Sequence, residues 1–128
     1  MGRFLDPLQL EATDETRGGR PVYRLLRDFR YEYGAPWSGH AVTVPRDFET
    51  DLASVPRLFW RVVPPSLGQK AAVVHDYLYR TGALPRRVAD AVFRHALADA
   101  GVDAFRRWWM WLAVRCGGRK SYKCEVKR

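Results

Sequence analysis

Residues 70–80, KAAVVHDYLYR, give the clearest indication of the fold of this chain. It contains no glycine or proline, it follows a segment with two prolines and a glycine (residues 64–68), and Gly82 closes it. These boundaries and the apolar content predict a mostly buried helix. His75 and Tyr79 are four residues apart within it, so both lie on one face of that helix.

Two more helices are predicted after this one. The second runs from about Arg86 to Ala100, and the third begins at the N-cap Asp103 and ends at the two glycines 117 and 118. Helical spacing favours an apolar face on the third helix that consists of Phe105, Trp108, Trp109, Leu112 and Cys116. Met110 and Trp111 do not fit on that face, so we expect at least one tryptophan near the surface.

The first half of the chain has the period of a β-strand. Residues 22–33 alternate apolar and polar side chains, which predicts one half-buried strand. The turn-forming sequence at 34–39 and a second alternating run at 40–48 complete an antiparallel hairpin.

The remaining segments are assigned around these elements. We expect an extended arm or loop at residues 1–20, a loop with a short helix at 49–66, three helices within 67–117 and a basic tail at 118–128. The predicted fold class is α+β: a single domain over residues 1–128 with an N-terminal antiparallel β-hairpin or small sheet packed on three C-terminal helices.

The net charge of +8 is concentrated in the second half of the chain. Residues 1–64 carry nine cationic and nine anionic side chains, whereas residues 65–128 carry thirteen and five. One interpretation is that the protein binds an anionic partner: a lipid surface, a nucleic acid or an acidic protein. A solvated basic face that only aids solubility is the other. The side chains expected to form a partner or anion surface are Arg106, Arg107, Trp111, Arg115, Arg119 and Lys120.

Several classes of protein are not indicated by the sequence. It has no apolar run long enough for a transmembrane helix, and its N-terminus has acids and a proline where a signal peptide would have its apolar centre. P-loop, GxSxG and GxGxxG motifs are absent, so neither nucleotide-dependent nor serine esterase chemistry is expected.

His75 and Asp90 are the candidate catalytic residues. Asp90 lies among apolar residues on the second helix, and a short connection can bring it to His75. In a hydrolase, such an imidazole accepts a proton from water while the carboxylate fixes its tautomer. The alternative is that the two groups only satisfy each other in the core.

The spacing of His75, Asp76 and Tyr79, followed by Ala89 and Asp90, resembles the paired catalytic helices of phospholipases A2, including the minimal forms in parvovirus capsids. The resemblance covers about 25 residues. It implies that His75 is the general base, Asp90 its orienting partner, Asp76 a calcium ligand and Tyr79 a hydrogen bonder behind the pair.

Asp51 is the upstream carboxylate that could add to such a site. Either Thr50 or Asp51 can cap a short helix or bind nearby backbone amides. Alternatively, Asp51 is a metal ligand with Asp76 and His75, with Thr50 in support. Oxygen ligands of this kind favour calcium over zinc, so calcium is the candidate cofactor.

A second resemblance covers most of the chain. Four ordered blocks, at residues 44–60, 71–79, 86–97 and 113–118, look like those of a family of small tailed-phage and prophage proteins that is described as a domain of unknown function. This implies a phage or prophage origin and a location in the host cytoplasm or the phage particle.

Two functional hypotheses follow. In the first, the protein is a hydrolase that acts on an ester in a lipid or envelope component. In the second, it is a non-catalytic virion or assembly protein whose His/Asp network is structural and whose Trp/Arg surface binds other phage virion proteins.

Overall fold

The computed structural model describes residues 3–17, 19–33, 40–50 and 65–117. The chain divides into two compact units, Met1–Asp51 and Leu52–Arg128. Strands occupy the first unit and helices the second, so the predicted α+β class is confirmed. The elements are β1 (Arg3–Phe4), β2 (Leu10–Arg17), β3 (Arg20–Leu25), β4 (Phe29–Glu32), β5 (Ala41–Val44), β6 (Glu49–Thr50), α1 (Pro65–Thr81), α2 (Arg86–Asp99) and α3 (Ala104–Gly117).

The predicted hairpin is present as the pair of β4 and β5, which lie in a three-stranded antiparallel sheet of order β1-β4-β5. Phe29 is opposite Val44 and Tyr31 is opposite Val42, and all four side chains are buried. Alternating aromatic and β-branched residues therefore form the inner face of this sheet.

The single strand predicted for residues 22–33 is wrong, because the chain bends between Leu25 and Phe29 and enters a second sheet. The bend is held by Asp28, whose carboxylate accepts a hydrogen bond of 2.7 Å from the backbone N–H of Arg46. Since the apolar alternation keeps its phase across the bend, the period alone did not reveal it.

The arm predicted at residues 1–20 is also wrong, because this segment contains β1 and β2. β2 pairs antiparallel with β3, and Gly19 has a φ of +78° at the turn between them. The side chains of residues 10–16 in β2 are mostly polar and partly or fully exposed, so an edge strand can carry them while its backbone pairs with β3.

The segment 49–66 was predicted as a loop with a short helix. Glu49–Thr50 instead forms β6, which pairs with β3. Residues 51–64 lie outside the described residues, as do the turn at 34–39 and the basic tail at 118–128.

The three predicted helices are confirmed. α1 begins at Pro65 rather than Lys70, because proline is well suited to the first turn of a helix. The predicted N-cap of α3 is also present, since Asp103 Oδ2 accepts the backbone N–H of Arg106 at 3.3 Å. None of the described helices combines the length and the hydropathy that a membrane crossing requires.

The apolar face predicted for α3 is wrong. Met110, Ala113 and Val114 are its buried side chains, whereas Phe105, Trp108 and Trp109 are exposed. Both sets have helical spacing, so periodicity alone could not choose between them. The contacts that orient α3 are made near its C-terminal end by Arg115 of α3 and Arg86 of α2, and they are described below.

Candidate functional site

The helical unit brings His75 of α1 and Asp90 of α2 into contact. The connection at residues 82–85 is short, and α1 packs against α2. His75 Nε2 lies 2.8 Å from Asp90 Oδ1, and neither side chain has any exposed surface. The two residues that the sequence singled out for catalysis therefore form a buried hydrogen-bonded pair.

Tyr79 lies beside this pair. Its hydroxyl donates to Asp90 Oδ1 at 2.5 Å, so one carboxylate oxygen interacts with both His75 and Tyr79. The His75 ring also contacts the rings of Tyr79 and Phe93, with centroid separations of 4.0 and 4.7 Å. The helical spacing of His75 and Tyr79 thus places both on the face that meets α2.

Arg115 of α3 completes the environment of Asp90. Its Nη1 donates to Asp90 Oδ2 at 2.8 Å, while about a third of the Arg115 side chain is exposed. Sequence analysis placed Arg115 on a partner surface and missed this contact. A signal was available, because a buried carboxylate on the middle helix requires a donor or cation and Arg115 is a basic residue in the last turn of α3.

Arg86 is a further member of the network that sequence analysis missed. Its Nε donates to the Tyr79 hydroxyl at 3.1 Å, and its Nη2 donates to the carbonyl oxygens of Val114 and Arg115 at 2.8 and 2.7 Å. Arg86 thus links α2 to both neighbouring helices. The sequence gives no signal that distinguishes it from the adjacent Arg87, because both lie in the first turn of α2.

These contacts keep Asp90 ionised. Burial on its own would raise the pKa of Asp90, but the hydrogen bonds from His75, Tyr79 and Arg115 outweigh burial and leave the pKa below its usual value. A charged carboxylate on α2 is therefore stabilised in the core by donors from both α1 and α3.

His75 and Tyr79 are neutral at physiological pH. Burial lowers the pKa of His75, and the opposing effect of Asp90 does not restore it. Burial and the negative charge of Asp90 raise the pKa of Tyr79. A neutral imidazole next to a carboxylate donates Nε2–H to it, which assigns its basic lone pair to Nδ1.

Asp76, the candidate calcium ligand, lies on α1 and is buried. Its Oδ2 lies 3.9 Å from Nε of Arg80, a cation that competes with a metal ion. Asp51 lies outside the described residues, and the part of the chain that the structure describes contains no group of three or more His, Cys, Asp or Glu residues able to hold a metal ion. The described residues thus do not by themselves form the expected calcium site.

Thr50, expected to support the site, is buried in β6 opposite Tyr23 and belongs to the first unit. Arg119 and Lys120 lie outside the described residues.

The remaining candidates for a partner surface lie on α3. Arg106 Nε is 3.3 Å from Oδ1 of the exposed Asp103, and Arg107 Nη1 donates to the carbonyl oxygen of Val102 at 3.0 Å. The guanidinium of Arg94 lies over the ring of Trp111, 5.7 Å from its centroid.

A polar cavity that the sequence did not predict lies in the first unit and has a volume of about 500 Å³. Arg30 makes a two-point contact with Asp6 in its wall, with Nε–Oδ2 and Nη2–Oδ1 distances of 2.7 and 3.0 Å. The lining residues are Asp6, Pro7, Leu26, Arg27, Asp28, Arg30 and Arg46. The His75–Asp90 pair is not among them.

Comparison with known proteins places this site within a family. A family model described as "Protein of unknown function (DUF1353)" matches residues 23–114. A curated relative, "Uncharacterized protein y4jT" of Sinorhizobium fredii (strain NBRC 101917 / NGR234), is 30% identical over 104 residues. The match spans 77% of this chain but 30% of the relative's length. No solved structure matches the chain. Because the family model covers most of the chain and includes His75, Tyr79 and Asp90, the chain belongs to the DUF1353 family of proteins of unknown function.

Proposed function

We propose that this protein is a hydrolase of phage or prophage origin that cleaves an ester in a lipid or envelope component with His75 as its general base. The observation that carries the proposal is the 2.8 Å contact between His75 Nε2 and Asp90 Oδ1, with Asp90 itself held by Tyr79 and Arg115. Titratable groups whose pKa is shifted by burial and by a specific charged partner are typical of functional sites.

The chemistry follows from the protonation states. With Nε2–H donated to Asp90, the imidazole can accept the proton of a water molecule at Nδ1 while that water attacks the ester carbonyl. The ionised Asp90 stabilises the imidazolium that forms, and Tyr79 and Arg115 keep Asp90 in place. His75 then returns the proton to the leaving alkoxide.

Access to His75 is the main requirement of this mechanism. The imidazole has no exposed surface, so water and substrate can reach it only if the protein opens locally around α1. A calcium requirement is a separate prediction, because Asp51, one of the two carboxylates expected to bind the ion, lies outside the described residues.

The complete burial of His75 and Asp90 favours a second candidate function. In that case the pair is structural, and the protein is a non-catalytic virion or assembly component that binds a partner through its surface. Buried polar groups of this kind have to be hydrogen-bonded wherever they occur.

The test is the release of fatty acid from mixed phospholipid vesicles by the purified protein, with calcium and with a chelator. We expect calcium-dependent release by the wild type, its loss in His75→Ala and Asp90→Asn, and its retention in His95→Ala, which changes an exposed histidine of α2. Tyr79→Phe keeps both catalytic groups, and we expect it to reduce the rate without abolishing it.

Absence of release by the wild type, together with lower melting temperatures of the His75 and Asp90 variants, would favour the structural role. Equal release of fatty acid with calcium and with chelator, if it still depends on His75, would support the role of His75 and Asp90 and contradict the calcium requirement.

A further inference from the structure

The N-terminal half of α3 exposes an unusual amount of aromatic surface. Phe105, Trp108 and Trp109 are 66%, 42% and 39% exposed, and they lie three and four residues apart on one side of the helix. The ring of Trp109 contacts those of Phe105 and Trp108 edge-on, with centroid separations of 6.2 and 5.5 Å. These three residues are called the aromatic face.

Exposed apolar surface of this size requires an explanation. Single exposed apolar residues are common, whereas a contiguous exposed apolar patch is typical of a contact surface. The apolar core contacts of α3 are made by Met110, Ala113 and Val114, so the aromatic face is not needed for them.

The charge of α3 and of the sequence that follows it indicates the nature of the partner. α3 contains three arginines and no acidic residue, and two of these arginines have acidic partners outside the helix: Arg115 pairs with the buried Asp90 and Arg106 with the N-cap Asp103. From residue 104 to residue 128 the sequence has eight Lys or Arg and one acidic residue, Glu125. An anionic surface complements this segment.

We infer that the aromatic face docks on an anionic lipid surface. Indole and phenyl rings favour the boundary between headgroups and acyl chains, and adjacent arginines bind lipid phosphates. The face lies on one side of a single helix, a shape that suits a planar interface. The inference rests on the proposed function in one respect, because it names the surface on which a lipid-directed hydrolase would work. Binding to that surface is measured separately from hydrolysis.

The test is co-sedimentation of the full chain with vesicles of phosphatidylcholine alone or of phosphatidylcholine with phosphatidylglycerol, in the presence of a chelator. We expect binding to the anionic vesicles only, weakened by added salt, with a blue shift of tryptophan emission. The double variant Trp108→Ser/Trp109→Ser is expected to bind at least about tenfold more weakly.

The chain offers a matched control. Leu26 is 43% exposed but lies in the first unit, so Leu26→Ser removes a comparable apolar residue away from the aromatic face and should bind as the wild type does. Phe105→Ser, at the most exposed of the three positions, provides a second variant if the double variant does not fold.

No binding to anionic vesicles, or equal binding by wild type and the aromatic variants, would overturn the inference. Self-association that is lost in the aromatic variants without any vesicle binding would assign the face to a second copy of the chain. Binding of single-stranded DNA that is lost in the aromatic variants would assign the face to a nucleic acid.

The outcomes also separate this inference from the proposed function. Vesicle binding without fatty acid release would uphold the inference and count against the proposed hydrolase. Fatty acid release that is unchanged in the aromatic variants would uphold the hydrolase and count against the inference.

Discussion

At the scale of single residues, Asp90 is the centre of the helical unit. Its two carboxylate oxygens interact with His75, Tyr79 and Arg115, which lie on the two other helices. A buried charge of this kind is tolerated only while its partners are present, since an unpaired charge in the core is strongly unfavourable. Removal of the charge also leaves the partners without their acceptor.

Asp90→Asn is therefore expected to lower the free energy of unfolding by about 3–5 kcal/mol, because it leaves Arg115 and Tyr79 facing an amide instead of a carboxylate. Urea denaturation followed by circular dichroism measures this loss. Asp103→Asn is the control, because it removes an exposed ion pair with Arg106 and keeps a good N-cap residue, and its effect should stay below about 1 kcal/mol. Equal losses in the two variants would show that the network contributes no more than a surface pair.

At the scale of elements, the rotation of α3 about its axis is fixed near its C-terminal end. Arg115 reaches back to Asp90, and Arg86 donates to the carbonyl oxygens of Val114 and Arg115. Once these contacts form, the side of the helix that carries Val114 faces the core and the aromatic face is exposed. Polar contacts therefore decide which of two apolar faces is buried.

Arg86→Met is expected to release the last turn of α3. The substitution removes donors to two helix-terminal carbonyls and to Tyr79, and we expect a loss of about 1–3 kcal/mol in the free energy of unfolding. Amide hydrogen exchange followed by mass spectrometry should show faster exchange in the last turn of α3. The matched control is Arg87→Met at the adjacent exposed position, which should leave exchange in α3 unchanged. Faster exchange in both variants would mean that the effect comes from the first turn of α2 and not from the contacts of Arg86.

At the scale of the whole molecule, stability should depend on pH through buried groups. The pKa of His75 is lowered by burial, so the folded state binds a proton less readily than the unfolded state. Stability is then full above the unfolded pKa of about 6.5 and falls as the pH decreases below it. The lowered pKa of Asp90 has a second effect, because its contribution to stability is full above the unfolded pKa of about 3.9 and is lost as the pH falls through the lower pKa of the folded state.

We expect the free energy of unfolding of the wild type to decrease between pH 7 and pH 5 by up to about 1.4 kcal/mol per pH unit from His75. Urea denaturation at a series of pH values measures the slope. His75→Gln should remove most of it, whereas His95→Gln, at an exposed position, should keep it. A slope that persists in His75→Gln would assign the pH dependence to other groups.

Local sequence patterns are sufficient to predict the three helices, the hairpin of β4 and β5, and the contact between His75 and Asp90. These features depend on local signals: a helical period bounded by proline and glycine, a strand period on each side of a turn, and two polar residues on apolar helix faces joined by a short connection. The α+β class follows from the change of period along the chain.

Four features are evident only in the folded chain: the bend between Leu25 and Phe29, the pairing of β2, the orientation of α3, and the contacts of Arg86 and Arg115. The pairing of β2 with β3 is a local hairpin, but the polar side chains of β2 give it no apolar period. The other features depend on partners 18 to 29 residues away in the sequence, so no local pattern carries them. The bend at Asp28 is held by a hydrogen bond from the backbone N–H of Arg46. α3 exposes Trp108 and Trp109 because the ion pair between Arg115 and Asp90 turns the opposite side of the helix toward the core. Periodicity identifies apolar faces, but long-range hydrogen bonds and ion pairs to buried groups select which of them is buried, because an unsatisfied polar group in the core is less favourable than an exposed ring.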